Sequence, residues 1–429
     1  MTTRIARHIL PDTARVDDGG RLSVGGVDLL DLAAEHGTPL FAYDEATLRA
    51  RCREARAAFD DGVAYGSKAF LCTAVARLAH EEGMHVDVAS GGELEVAVAA
   101  GVPPERIVLH GNNKSLDELR RARELGVRPV VDSFDEIDRL ESLFAADGVA
   151  VRALVRVTPG VQADTHAHIS TGQVDSKFGF GMEGGAAAEA IDRLARSDAV
   201  DLDGVHVHIG SQIVDLRSFE ETVDAVAGFF APLDLPELCL GGGLAIPYTG
   251  DERPPSISEW GAAAKRACRA AGISARLTAE PGRAIAATAG ITLYEVGTIK
   301  EIPGVRTYAS VDGGMSDNPR PILYDARYEA FLPRAADAER PRTVTIAGKH
   351  CESGDVLIRD AQLPADLAVG DVLAVPATGA YGYSMASNYN KVPRPAVVFV
   401  ADGESRVVVR RETVDDLLRL DVSGAVSTA

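Results

Sequence analysis

The strongest constraint on this chain is an alternation that runs through its first 300 residues. Short runs rich in β-branched residues are each followed by a longer stretch with apolar residues at helical spacing. The strand ends fall at Val63-Ala64-Tyr65, His85-Val86-Asp87-Val88, Ile107-Val108-Leu109-His110 and Pro129-Val130-Val131-Asp132. They continue at Leu154-Val155-Arg156-Val157, Val205-His206-Val207-His208, Leu238-Cys239-Leu240 and Leu277-Thr278-Ala279-Glu280, eight in all. Helical patterns lie between them, at Cys72–Glu82, Gly92–Ala100, Leu116–Leu125 and Phe134–Phe144. Ser133 and Ser115 are expected N-caps, the latter with Glu118 completing a capping box. Parallel strands need helical crossovers, so eight such units predict an α/β chain built on a (β/α)8 TIM-like barrel. An open doubly wound sheet would show the same alternation. The barrel is preferred because chemically useful residues recur at the strand C-termini: Lys68, Ser90, His110, Arg156, His208, Gly241 and Glu280.

Beyond residue 300 short strands follow one another directly, at 343–347, 355–358, 372–375, 396–400 and 406–409. Turn formers such as Val369-Gly370-Asp371 and Ala401-Asp402-Gly403 separate them. This predicts a C-terminal antiparallel β domain joined by N-terminal strands from the Leu22–Leu30 region. The expected division is 1–38 for those N-terminal strands, 39–290 for the barrel and 291–429 for the C-terminal β domain. Residues 158–182 read as a long loop after the fifth barrel strand, of a length that compact domains reserve for function or motion.

Composition narrows the partners. A formal charge of −19 over 429 residues disfavours nucleic acid and anionic membrane surfaces. No apolar run is long enough to span a bilayer, and the start of the chain lacks the apolar core of a secretory signal. Five cysteines without a CxxC pair fit reduced thiols in a cytoplasmic protein and argue against zinc, so no metal is expected. Cys72 and Cys239 lie in apolar runs, and Cys52 and Cys268 beside arginines in helical patterns. Cys351 sits instead among charges, in Lys349-His350-Cys351-Glu352. That is the setting of a reactive thiol, although a packed cysteine beside a strand would read similarly.

The chain has only seven lysines. Lys68, in Tyr65-Gly66-Ser67-Lys68-Ala69-Phe70, has no carboxylate nearby in sequence. If desolvated at a strand end its amine form is favoured, which suits imine formation; a snorkelling surface lysine is the plainer reading. Leu240-Gly241-Gly242-Gly243-Leu244 follows a strand and can turn backbone N–H groups toward an anion, and Ser211 in His208-Ile209-Gly210-Ser211-Gln212 can add a hydroxyl. Glu280-Pro281-Gly282-Arg283 offers a carboxylate and a guanidinium, which an internal ion pair would also explain. An imine-forming lysine, a phosphate cradle, an imidazole and a carboxylate together suit pyridoxal 5′-phosphate. No GxGxxG stands between a strand and a helix at the start of a βαβ unit to support a dinucleotide.

These motifs, with His110-Gly111-Asn112-Asn113-Lys114-Ser115 and Ser176-Lys177-Phe178-Gly179-Phe180, resemble the diaminopimelate decarboxylases of the alanine-racemase-like fold type III group over nearly the whole length. The most specific matches are Asp312-Gly313-Gly314-Met315-Ser316-Asp317-Asn318-Pro319-Arg320, Cys351-Glu352-Ser353-Gly354-Asp355 and Gly379-Ala380-Tyr381. The resemblance implies decarboxylation of meso-2,6-diaminopimelate to L-lysine and carbon dioxide, the last step of lysine biosynthesis. It implies that Lys68 holds the cofactor covalently, that His208 stacks on its ring and that Glu280 pairs with the ring nitrogen. Gly241, Gly242, Gly243, Ser211 and the Gly282-Arg283 backbone would grip the phosphate. Arg283, Arg320, Tyr324, Glu352 and Tyr381 would bind substrate, with Tyr381 also touching the cofactor. Cys351 would donate a proton to Cα, with His350 tuning it, in a homodimer whose active sites are shared across the interface. A related decarboxylase or racemase for another amino acid, or a non-catalytic cofactor-carrying homologue, are the alternatives. The first is disfavoured by Arg320, Tyr324 and Glu352, the second by the presence of both lysine and cysteine.

Overall fold

Side chains along a strand alternate between its two faces, and in this chain that period fixes which residues reach the site. The computed structural model describes residues 5–161 and 176–422, so most of the 158–182 loop lies outside the described residues. The chain forms two units. A β unit holds the chain up to Ala46, Tyr248–Gly250 and the chain from Thr288 onward; a barrel unit holds Thr47–Pro247 and Asp251–Ala287. The divisions fall at 46/47 and 287/288, where the sequence reading set 38/39 and 290/291.

In the barrel unit eight strands pair in parallel in sequence order: Ala64–Gly66, His85–Val88, Ile107–Leu109, Arg128–Val131, Val151–Thr158, Val200–His206, Glu237–Cys239 and Arg276–Thr278. The Ala64 and Gly66 N–H groups donate to the carbonyls of Ala279 (2.9 Å) and Pro281 (3.1 Å), which brings the last strand back beside the first. The ring closes, and the open-sheet alternative falls. Helices begin where the sequence places their caps. Ser115 accepts from the Glu118 N–H in a capping box, and Ser133 accepts from that of Glu136.

Val86, Val88, Ile107 and Leu109 face outward and pack with Ala76, Leu94, Ala97 and Ala122 of the surrounding helices. The opposite face supplies Val108, Val130, Leu154 and Cys239, which cluster inside the ring. Two residues further along the same strands come His110, Asp132, Arg156 and Gly241. An apolar layer therefore floors a polar layer at the strand C-termini, the end where barrels carry their chemistry.

The β unit contains an eight-stranded sheet. Its order is Val356–Leu363, Arg342–Ala347, Arg306–Val311, Gly290–Ile302, Leu40–Asp44, Ala396–Ala401 and Glu404–Val409, with Val372–Pro376 also pairing with Gly290–Ile302. It is mainly antiparallel, with parallel pairs at Arg306–Val311/Arg342–Ala347 and Leu40–Asp44/Ala396–Ala401. The Leu22–Leu30 region differs from expectation. Leu22–Val24 and Val27–Asp28 form a separate three-stranded sheet with Arg15–Val16, and Leu29 starts a helix capped by Asp28. Gly25 and Gly26 both have positive φ (60° and 81°), which folds the two strands back on each other in a tight hairpin. Leu40–Asp44 is the N-terminal strand that joins the large sheet.

Candidate active site

The polar layer of the barrel is organised around Glu280, just past the eighth strand. Its side chain is buried, with only 8% exposed. His110 Nε2 lies 2.8 Å from one carboxylate oxygen and His206 Nε2 lies 3.0 Å from the other. Burial opposes ionisation, but the two imidazoles and their hydrogen bonds outweigh it and hold the carboxyl well below the ordinary glutamate range. Burial likewise opposes charge on His110, yet Glu280 and Asp87 lift its pKa above the usual value. For His206 burial wins and its pKa is lowered. Asp87, 3.9 Å from His110 Nε2, is pushed up to about 7 by burial; His110 and Lys68 oppose the rise and Glu280 adds to it. The ligand atoms of His110, His206 and Glu280 all lie within 4.8 Å of one another. Separations of 2.8 and 3.0 Å are nevertheless hydrogen-bond lengths, whereas two ligands about 2.1 Å from a tetrahedral zinc would sit about 3.4 Å apart.

His208 is neutral for a separate reason. Burial, then Arg156, Lys68 and His206, drive its pKa well below the ordinary imidazole value. Its Nδ1 accepts the Gly242 N–H at 3.2 Å, so the ring proton belongs on Nε2. The Gly242 amide is thereby committed, and that of Gly241 points to Cys239 Sγ at 3.5 Å. Gly243 is the member of the triplet whose N–H meets no acceptor among the described residues. Arg283 donates to Ser211 Oγ at 2.8 Å; Glu280 takes the two histidines as its partners, in place of the Glu280–Arg283 ion pair the sequence allowed.

Glycines bring these motifs together. A Cβ on Gly66, two residues before Lys68, would lie 3.0 Å from the Glu280 carbonyl, and one on Gly282 would lie 2.3 Å from the Gly66 carbonyl. One on Gly242 would meet the Glu280 carbonyl at 2.6 Å, and one on Gly243 the Gly210 carbonyl at 2.4 Å. The lysine turn, the Glu280–Arg283 turn, the glycine triplet and the His208–Ser211 turn thus pack backbone against backbone. Lys68 itself is exposed, so its amine is not desolvated at the strand end as expected; its charge is felt at Asp87 and His208. Lys114 is the contrasting case. It is buried and donates to Glu136 (2.8 and 3.0 Å) and to the carbonyls of Val130 and Gly111. Ser90 serves as a helix N-cap. Pyridoxal phosphate fits what is present: an accessible amine, a neutral imidazole, an ionised buried carboxylate, and an uncommitted amide in a loop beside a serine–arginine pair.

In the β unit, Arg320 begins the short helix Arg320–Tyr324 and is only 5% exposed. Its guanidinium stands 4.2 Å over the Tyr248 ring, 5.5 Å from that of Tyr328, and hydrogen-bonds the Tyr328 hydroxyl. Tyr381, held at φ +60°, adds to the electrostatic environment of Arg320. Among the described residues no carboxylate pairs with this buried cation. Tyr324 is 39% exposed. Cys351 and Glu352 are exposed on a turn fastened by Asp355, which accepts from the Met315 N–H (2.7 Å) and the His350 N–H (2.9 Å). His350 is buried and engages Ser316 Oγ at 2.8 Å. No hydrogen bond or ion pair among the described residues joins Cys351 or Glu352 to Arg320 or Tyr324. The other four cysteines are buried; burial raises the Cys52 thiol to about 12 and that of Cys268 to about 11. Sequence reasoning did not find Asp87 and His206. The signal was available, because both alternate with valines in strands whose other face is covered by helices.

Comparison with known proteins agrees with this chemistry. Residues 45–287 match the family model described as pyridoxal-dependent decarboxylase, pyridoxal binding domain. The diaminopimelate decarboxylase of Bacillus subtilis (strain 168) is 49% identical over 433 residues, covering 96% of this chain and 98% of its own. That of Mycobacterium leprae is 48% identical over 441 residues, covering 98% and 93%. The crystal structure of diaminopimelate decarboxylase from M. jannaschii in co-complex with L-lysine matches with a TM-score of 0.89 at 35% identity, over 96% of this chain and 98% of that one. A lysine/ornithine decarboxylase from Vibrio vulnificus, 23% identical with a TM-score of 0.74 over 87% of this chain and 98% of its own, shares the fold alone. No helix among the described residues is long and apolar enough to cross a membrane.

Proposed function

Because the chain belongs to the diaminopimelate decarboxylase family, within the pyridoxal-dependent decarboxylases, we propose that it releases carbon dioxide from meso-diaminopimelate and leaves L-lysine, as a cytoplasmic homodimer. When bound, pyridoxal 5′-phosphate supplies an aldehyde that condenses with amines and a protonated ring that accepts the electron pair of the departing carboxylate. Lys68 supplies the amine that holds the aldehyde between turnovers. Glu280, ionised and acceptor-only, holds the proton on the ring nitrogen. His208, neutral, offers a flat face without a competing charge. The Gly243 amide, Ser211, and Gly282 with Arg283 hold the phosphate. Arg320, with Tyr381 and Tyr324, takes the carboxylate at the substrate's far end, Glu352 takes the far ammonium, and Cys351 returns a proton to Cα.

The observation that carries the chemistry is the buried Glu280 carboxylate kept ionised by two histidines. Substrate choice rests on Arg320. A buried guanidinium that meets no carboxylate among the described residues is a receptor for one, and meso-diaminopimelate offers a second, distal carboxylate that ornithine lacks. Exposure of Cys351 and Glu352, and of Ile322, Leu323 and Tyr389, supports the use of these segments by a second copy. The test is direct: purified protein, cofactor and meso-diaminopimelate should yield equimolar carbon dioxide and lysine, with ornithine and lysine turned over poorly. Lys68→Ala should lose both visible absorbance and turnover; full activity in that variant would refute the scheme.

A further inference from the structure

We propose that His110 and His206 are positioning residues for this reaction, clamping both oxygens of Glu280, His110 as an imidazolium and His206 as a neutral Nε2–H tautomer. The inference rests on the role given above to Glu280. The tautomers follow from the contacts. A carboxylate can only accept, so each Nε2 that meets it must carry a proton. His206 Nδ1 is buried and meets no hydrogen-bond partner among the described residues. A second proton there would be an N–H sealed from both water and acceptors, so His206 donates once and stays neutral. His110 Nδ1 is not among the buried nitrogens left without a partner, and a second carboxyl group, Asp87, lies 3.9 Å from its Nε2, so His110 can carry the positive charge.

The arrangement has two consequences. Glu280 is pinned at both oxygens by rings that brace one another, 4.9 Å apart and 63° from coplanar. A carboxylate has about four acceptor sites, so a lone pair remains on each oxygen for the ring N–H. The charge count also matters. Arg156 and Lys68 already contribute positive charge here, while Glu280 contributes negative charge, Asp87, pushed up to about 7, only part of one, and His208 and Cys239 none. One imidazolium offsets Glu280 without giving it a permanent cationic partner that would compete with the cofactor. Glu237 shows the alternative at the other end of the strands: it is buried between Arg128 and Arg276 and bonded by Thr278. Such a carboxylate is a structural tie.

The test uses the full chain with and without cofactor. In the apoprotein, 15N-labelled histidines should show His110 doubly protonated and His206 singly protonated at about pH 6.5; equal protonation of the two would overturn the proposal. In His110→Gln, the 13C carboxyl signal of Glu280 should titrate at higher pH than in the wild type, and an unchanged titration would also overturn it. With cofactor bound, His110→Gln and His206→Leu should each lower kcat ~10–100-fold with little change in KM, and His206→Gln, which keeps a donor, should recover part of the loss. Glu280→Gln should mask both effects, so that each double variant is no slower than Glu280→Gln alone; multiplicative losses would mean the histidines act elsewhere. Full activity of Glu280→Gln would sink the role of Glu280 and this inference together. A slow Glu280→Gln beside unimpaired histidine variants would sink the inference alone.

Discussion

Buried charges are expensive, and Arg320 shows what one is for. Its guanidinium is covered by Tyr248 and Tyr328 and meets no carboxylate among the described residues, so the folded chain carries a desolvation cost that an internal ion pair does not repay. Arg320→Met is therefore expected to leave thermal stability unchanged or raise it. The same change should weaken the diacid by about 2–3 kcal/mol, roughly 30–150-fold in KM, because a charge-assisted bidentate contact is lost. Parallel losses of melting temperature and affinity would show the arginine to be a structural part instead. At this scale the site was partly legible. Lys68, His208, Glu280 and Arg283 stand at strand ends in sequence, but the partnership that defines Glu280 joins residues 170 and 74 positions apart, which local pattern cannot reveal.

Elements were legible where their pattern was local. The eight barrel strands appear as β-branched runs, and the helices that start at Leu116 and Phe134 begin at serines that cap them. Leu40–Asp44 was not assigned to the β unit because all five residues are buried; a strand covered on both faces shows no alternation, and its sheet is chosen by distant partners. The separate sheet at Leu22–Asp28 follows from the Gly25–Gly26 hairpin, a turn signal that fixes pairing more strongly than strand propensity does. Another tie invisible to periodicity is the Lys114–Glu136 pair, which fastens the loop after the third barrel strand to the helix after the fourth. Lys114→Met should destabilise the protein by about 3–5 kcal/mol by stranding a buried carboxylate, whereas Lys114→Met with Glu136→Leu should recover much of that loss. Chemical denaturation of both variants checks it; equal losses would mean the lysine's carbonyl contacts matter more than its ion pair.

For the whole molecule, acid–base behaviour should be set by two buried aspartates, Asp87 in the barrel and Asp317 in the β unit. Burial pushes Asp317 up to about 7 although Tyr294 and the Gly314 N–H bond it. The folded form therefore holds a proton that the unfolded chain has released, so this group's contribution to stability falls as pH rises from about 4 to about 7 and is flat above. Asp317→Asn should make the decline in melting temperature over that window shallower, Asp87 supplying the remainder, and an unchanged slope would refute the assignment to Asp317. Assembly is open to a mixing test. Lys68→Ala and Cys351→Ala subunits, each deficient alone, should regain up to roughly a quarter of wild-type turnover after exchange if sites are built from two copies. The path of the chain also sets a schedule for its birth. Leu40–Asp44 leaves the ribosome early, yet its sheet neighbours, Gly290–Ile302 and Ala396–Ala401, are translated only after the whole barrel. At ~5–20 residues per second this greasy ribbon waits on the order of ten seconds to a minute for company, an interval in which a chaperone or a premature neighbour on the same messenger has the first opportunity to bind it.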